Sequence, residues 1–308
     1  MDRSSFFIKN KALFGSFPTQ QAVEELEKEG VRFFVDLTHS DERKIVPYKT
    51  QYNYISYPIL DRNTPDNLLE FILFIIRLSN IVYSLNHKEL LYIHCKGGHG
   101  RSGVVVAILL SYMFELVPEK ALEYTTKYHS KRTVMREKWR IMGSPQTYQQ
   151  KSFVFFCCKP INFYRAYKTG FTAGFSNFSP HSVHIENFGT FPTSEAALQA
   201  YKNPDNREYI QKLENSVSPI IAKILGKKCN IRDDWDCISF DIMYYILQLK
   251  FEQHNYLKDI LLSTRLCPII QNTRGDNYWG SGDGNGKNLL GKALTKLRNS
   301  YYQELLIE

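Results

Sequence analysis

The stretch that most restricts what this chain can fold into is residues 90–110. Leu90-Leu91-Tyr92-Ile93-His94 is apolar and of strand length, Gly97, Gly98, Gly100 and Gly103 crowd the turn that follows, and residues 104–110 are apolar again at helix length. A buried strand that passes through a glycine turn into a buried helix must be covered on both faces, which points to a mostly parallel α/β sheet flanked by helices. The same turn holds Cys95 and Arg101 in a C-x5-R arrangement. Free N–H groups and the positive dipole end at a helix N-terminus favour a thiolate there and bind phosphate oxygens. Glycines let the backbone curl so that successive N–H groups point inward. Arg101 offers a planar fork to two phosphate oxygens, and Ser102 can donate a hydrogen bond to the Cys95 sulfur as it leaves. His94 is expected to orient the loop, and Lys96, Gly97, Gly98, His99 and Gly100 to surround the phosphate. A buried structural thiol beside a solvated arginine would explain a bare C-x5-R. It does not explain one framed by strand, histidine, three glycines and Gly100-Arg101-Ser102-Gly103.

Patterning around this motif predicts helices over 20–28, 68–85, 102–112, 118–128, 134–142 and 146–158, with strands over 30–37 and 54–59. A leaving alkoxide needs a proton, so a carboxylic acid should sit on another loop. Asp61, just past the second of those strands, is the choice; Asp66 reads as the cap of the following helix. This region, about residues 10–155, resembles the dual-specificity phosphatases in its Val35-Asp36-Leu37 strand, its Pro58-Ile59-Leu60-Asp61 loop and its His94-Cys95-Lys96-Gly97-Gly98-His99-Gly100-Arg101-Ser102-Gly103 signature. The resemblance implies a cysteinyl-phosphate intermediate and no metal. Lys96 and His99 are similar to a lysine pair in its phosphoinositide-directed members.

Lys159-Pro160 reads as a domain boundary, giving a first domain over 1–158 and a second over 162–308. Loops are expected from 162 to 193, then helices over 194–201, 207–214, 219–225, 234–250, 256–263 and from 290 onward, so the second half is mainly α-helical. Its segment Gly280-Ser281-Gly282-Asp283-Gly284-Asn285-Gly286-Lys287-Asn288 lacks the spacing of a nucleotide P-loop and the alternating acids of an EF-hand. A glycine loop presenting N–H groups to a sugar phosphate is the expectation kept for it. Polar side chains stand where an apolar core does not need them: Asn177, Glu195, Asp276, Asn277, Lys287 and Asn288.

Gly174-Phe175-Ser176-Asn177-Phe178, Pro192-Thr193-Ser194-Glu195, Trp235, Lys250-Phe251-Glu252-Gln253-His254 and Asp276-Asn277-Tyr278-Trp279-Gly280 through Gly291 resemble the NADAR (YbiA-like) family over about residues 162–300. That resemblance implies hydrolysis of ribosyl N-glycosidic bonds, in riboflavin-pathway intermediates and in ADP-ribose on guanine of nucleic acid. It places catalytic and binding roles on Glu195, Trp235, Asp276 and Trp279. Ala196-Ala197-Leu198 departs from the family's usual His-Tyr-Phe. Read from residues alone, Glu195 could equally cap a helix, and Trp235 and Trp279 could be core. As carboxylates, Glu195 and Asp276 could divide stabilisation of ribosyl charge and activation of water.

Charge and cysteines bound the rest. The net charge is +8, and residues 1–159 hold 22 basic and 16 acidic residues. The densest basic cluster, over 127–140, reads as a solvated helix face or as a surface for anionic partners, nucleic acid included. The six cysteines form no C-x-x-C pair, and no zinc spacing or other cofactor motif occurs. No apolar run reaches membrane-spanning length and the first ten residues lack a signal's apolar core, so a cytoplasmic protein with access to the nucleus is expected. The whole reads as a bifunctional hydrolase, a phosphomonoester phosphatase fused to an N-glycosidase. Its partners would be phosphoprotein, phosphoinositide or phosphorylated nucleotide for the first half, and ribosyl nucleotide or ADP-ribosylated nucleic acid for the second. The alternative is a non-catalytic phosphate-binding module that delivers the glycosidase to phosphorylated or nucleic-acid targets.

Overall fold

A computed structural model describes residues 2–43, 45–164 and 170–307. The chain forms two compact units, Met1–Lys159 and Pro160–Glu308. Among the described residues no helix is long and apolar enough to cross a membrane.

In the first unit the elements run β1 (Ser4–Ile8), β2 (Ala12–Ser16), α1 (Gln20–Lys28), β3 (Val31–Asp36), β4 (Asn53–Ser56), α2 (Leu68–Ser84), β5 (Leu90–Cys95), α3 (Arg101–Phe114), α4 (Pro118–His129), α5 (Glu137–Met142) and α6 (Tyr148–Cys158). The sheet order is β1-β2-β5-β3-β4, antiparallel only between β1 and β2. Central β5 is buried along its whole length. Its Leu90 and Tyr92 pack with Val23 and Leu26 of α1, and by strand alternation Leu91 and Ile93 face the opposite side. Local signals start the helices. Thr19 caps α1, and Thr147 with Gln150 forms a capping box on α6. At α2 the cap is Asn67, whose side chain accepts from the Glu70 N–H at 3.2 Å. Asp66 therefore does not cap this helix: the residue nearest the first free N–H groups takes that role. The β1–β2 hairpin is absent from the sequence reading. β2 is buried on both faces between β1 and β5, so it shows no alternation.

The second unit runs β6 (Ile161–Phe163), β7 (Val183–Ile185), β8 (Gly189–Phe191), α7 (Ser194–Ala200), α8 (Arg207–Glu214), α9 (Pro219–Lys228), α10 (Trp235–Gln253), α11 (Tyr256–Ser263), β9 (Ile269–Gln271) and α12 (Leu289–Ile307). It is mainly helical around one core that includes Phe175, Met243, Ile246, Phe251 and Leu294. The expected loop over 162–193 contains three-residue strands, too short to leave a pattern; its residues 165–169 lie outside the described ones. β6 pairs with β9 in parallel and β7 with β8 antiparallel.

Candidate active sites

At the end of β5 the chain turns through residues 96–100 into α3. Cys95 is buried, with its Sγ 3.6 Å from Ser102 Oγ. Gly98 has φ +73°, and a Cβ there would sit 2.6 Å from Ser16 N on β2, closer still to the Gly15 carbonyl, so only glycine fits. Arg132 from the loop after α4 reaches under this turn. Its guanidinium donates to Gly98 O at 2.6 Å and to Phe14 O at 3.1 Å, tying the loop to β2. Ser144 Oγ donates to His99 O at 2.5 Å.

His94 is fully buried, with Nε2 2.7 Å from Tyr48 OH. Burial pushes it down to about 4 although Asp36 lies 3.6 Å away, so its ring is neutral at pH 7. His99 faces inward as well. Its Nδ1 is 2.7 Å from His129 Nε2 and its ring stacks on Trp139. Burial first, then Arg132, lowers both histidines, His99 to about 4.

Arg101 is 1% exposed. Its Nη1 donates to Ile59 O at 2.9 Å and its Nη2 lies 3.1 Å from Asp61 Oδ1. Both Nη atoms also bond the Glu42 carboxylate, Nη2 at 3.1 Å. The fork expected to grip phosphate is thus held by an acid that the sequence reading did not single out. Asp41-Glu42 sits in a polar loop and looks solvated. Burial works to raise the Glu42 carboxyl, but its bonds to Arg101 and to the His39 N–H outweigh that and hold it below the usual range. Asp61 is 61% exposed and reaches the arginine from the loop after β4. Lys96 is exposed and its Nζ donates to Arg43 O at 3.0 Å.

The second unit holds a cavity of about 440 Å³ whose lining includes Asn177, Glu195, Gln199, Lys223, Asp276 and Trp279. Thr193 caps α7 by accepting from Ala196 N at 3.2 Å, which leaves Glu195, one turn residue later, to face the cavity instead of the helix end. Glu195 is 5% exposed and accepts from Gln199 Nε2 at 2.9 Å. Burial raises its pKa, against the pull of Gln199, Lys223 and Lys202. Asp276 Oδ1 accepts from the backbone N–H groups of Tyr278 and Trp279 at 3.1 and 2.8 Å, and its Oδ2 lies 3.9 Å from Lys223 Nζ. Asn177 is buried and its Oδ1 has no hydrogen-bond partner among the described residues. Below this loop, Lys250 is fully buried and donates to Gly174 O, Ser176 O and Ser179 Oγ at 2.6, 3.0 and 2.7 Å.

Three residues expected at the substrate are not among those that line this cavity, although Trp235 and Lys287 stand against Lys202 and Tyr278, which do. Trp235 packs against the core, with Lys202 Nζ 5.6 Å from its ring. Lys287 lies over Tyr278. Asn288 ties down β9, accepting from Gln271 N and donating to Ile269 O, both at 2.9 Å. In the glycine-rich segment, expected to present N–H groups to a sugar phosphate, five N–H groups are engaged by backbone carbonyls. Ser281, Gly284, Gly286, Lys287 and Asn288 donate theirs to carbonyls of Gln271, Ser281, Ser281, Asn277 and Gly280. These glycines serve a tightly folded loop. Among the described residues no group of three or more His, Cys, Asp or Glu is arranged to hold a metal ion.

A family model for the Swiss Army Knife protein DSP-PTPase phosphatase domain matches residues 2–154, and one for the NADAR domain matches residues 162–301. The putative tyrosine phosphatase 197R of Invertebrate iridescent virus 6 is 33% identical over 298 residues, covering 96% of this chain and 90% of that one. The N-glycosidase YbiA of Escherichia coli (strain K12) is 35% identical over 151 residues, 48% of this chain and 89% of its own. The NMR structure of E. coli YbiA superposes at 34% identity and a TM-score of 0.44, over 48% of this chain and 88% of that one. The chain belongs to the family of that viral protein, with a DSP-PTPase phosphatase domain in its first half and a NADAR domain in its second.

Proposed function

We propose that this protein is a bifunctional hydrolase, a cysteine-dependent phosphomonoester phosphatase joined to an N-glycosidase that acts on a ribosyl N-glycosidic bond. The observation that carries the first activity is the convergence of Cys95, Ser102, Arg101 and Asp61 on one turn, with Sγ–Oγ at 3.6 Å and Arg101–Asp61 at 3.1 Å. The Cys95 sulfur attacks phosphorus and forms an S–P bond. The ester P–O bond breaks, its electron pair stays on the leaving oxygen, and Asp61 supplies the proton. Water then attacks phosphorus, Asp61 takes a proton from it, and the S–P bond breaks to release phosphate. Ser102 Oγ hydrogen-bonds the departing sulfur. For Arg101 to take phosphate in its fork, at least one of its Glu42 bonds must be exchanged for bonds to phosphate oxygens.

The second activity rests on Glu195 and Asp276 lining one cavity. As the bond from C1′ to nitrogen breaks, its electron pair goes to the base, and positive charge builds on the ribose. Water oxygen forms the new bond to C1′. Glu195, its pKa raised by burial, suits the acid role of delivering a proton to the departing base and then recovering one from the attacking water. Asp276 suits stabilisation of the ribosyl charge, Trp279 the stacking of a flat base, and the free Asn177 Oδ1 a ribose hydroxyl.

The test is hydrolysis of p-nitrophenyl phosphate, with no metal added, by wild type and Cys95→Ser between about pH 5 and 8. Activity lost in the variant supports the phosphatase; equal activity in both proteins would refute it. No turnover by either, with phosphate binding retained, would favour the non-catalytic module. Release of ADP-ribose from ADP-ribosylated guanine, in wild type and Glu195→Gln, tests the second half in the same way.

A further inference from the structure

A cleft of about 670 Å³ borders the phosphate loop and plays no part in the steps above. Lys96, Gly97 and His99 form one side, and Arg3, Arg132, Arg136 and Trp139 contribute to the rest. Its charge is one-sided. Arg3, Lys96, Arg132 and Arg136 line it and no Asp or Glu does. Among the described residues no carboxylate lies in ion-pair range of any of the four. Glu137, the acid next to Arg136 in sequence, turns to Arg140 at 3.6 Å instead.

The deepest of the four is the most telling. Arg132 is 2% exposed, its hydrogen bonds go to two carbonyls, and its buried Nε has no hydrogen-bond partner among the described residues. A guanidinium in that position has its donors partly satisfied and no carboxylate paired with it among the described residues, so it projects a positive field into the cleft. Lys96 donates to the Arg43 carbonyl and acts at longer range on the Glu42 carboxylate, which is itself bonded to Arg101. A solvated helix face, the plain account of the basic run over 127–140, would not bury Arg132 or set it against the phosphate loop. The volume suits a compact molecule rather than an extended chain, and Val134, Met135 and Trp139 give it an apolar wall.

One phosphate held at Cys95 and Arg101 leaves these four cations with no carboxylate in ion-pair range among the described residues. We infer that the cleft takes a second phosphate group carried on the same small molecule, so that the phosphatase half prefers bisphosphorylated substrates to monophosphorylated ones. This rests on the phosphatase reading of Cys95.

The experiment compares adenosine 3′,5′-bisphosphate and myo-inositol 1,4-bisphosphate with their monophosphates and with p-nitrophenyl phosphate. Full-length wild type, Arg136→Ala and Arg3→Ala are assayed, all altered at exposed side chains. At least one bisphosphate should be turned over by wild type with kcat/KM about tenfold above its monophosphate, the scale of one charge-assisted contact. Each variant should lose most of that advantage through KM, with a much smaller loss on p-nitrophenyl phosphate. Equal kcat/KM for mono- and bisphosphates in wild type, or equal losses on all substrates in the variants, would overturn the inference. So would a variant that alters only the response of p-nitrophenyl phosphate turnover to added sulfate, because the cleft would then take a separate ion. If wild type hydrolyses no phosphate ester, the phosphatase reading fails by itself. Calorimetric titration of the bisphosphate into wild type and Arg136→Ala then decides the cleft: about tenfold weaker binding in the variant supports it, and equal binding sinks it.

Discussion

Replacing Lys250 with methionine should change how stability depends on pH. Lys250 is fully buried, hydrogen-bonded to Gly174 O, Ser176 O and Ser179 Oγ, and among the described residues no carboxylate is paired with it. Burial pushes its ammonium down to about 7 from 10.5. Below pH 7 the lysine is protonated in both folded and unfolded chains, and its burial carries the full penalty with no slope. Between about pH 7 and 10.4 the unfolded chain holds the proton and the folded chain does not, so folded-state stability rises with pH at up to about 1.4 kcal/mol per pH unit. From pH 7 to 9 wild type should therefore gain about 2 to 2.5 kcal/mol relative to Lys250→Met, after allowing for partial titration near pH 7. The variant also strips donors from three acceptors, a loss of about 1–3 kcal/mol each that does not depend on pH. The slope carries the information and the offset does not. Urea unfolding of full-length wild type and variant at pH 6, 7, 8 and 9, followed by tryptophan fluorescence, measures it. A difference between the two proteins that stays flat across that range, or one that shrinks as pH rises, would refute the reasoning.

Three further outcomes are expected. Gly98→Ala should destabilise the first unit by about 2 kcal/mol or more and abolish phosphatase activity. Its Cβ must take φ +73° and meet the Gly15–Ser16 backbone; denaturation together with p-nitrophenyl phosphate turnover checks both effects, and near-wild-type values would contradict them. Asp61→Asn should lower turnover of alkyl phosphates by roughly 10²–10⁴. p-Nitrophenyl phosphate, whose leaving group needs little protonation, should be affected less, and equal losses on both would remove Asp61 as the acid. Gln199→Met deletes the hydrogen bond that pulls the Glu195 pKa down. The basic limb of the glycosidase pH–rate profile should then move upward, and a downward shift would contradict the acid role.

Some of this molecule was legible in one dimension because the physics is local. The Cys95 turn could be placed because strand, glycine loop and helix are contiguous, and short-range patterning makes each element. Helices α1, α6 and α8 begin at Thr19, Thr147 and Asn206, each with its own side-chain cap a few residues from the N–H it satisfies. Both family resemblances rest on ordered motifs of the same kind. Tertiary structure decided where charged side chains go. Glu42, Arg132 and Lys250 look like solvent residues in sequence. Arg132 and Lys250 are buried and Glu42 half-buried because their partners (the carbonyls of Gly98 and Phe14, the loop from Gly174 to Ser179, and Arg101) come from distant parts of the chain. The same holds in reverse for the glycine-rich segment. Its composition resembles an anion cradle, yet five of its N–H groups close on backbone carbonyls of the folded unit. Composition records which groups a segment carries, but a buried polar group must find a partner wherever the fold puts one. That pairing is a property of three-dimensional packing, and it set Glu42 against the arginine expected to clamp phosphate.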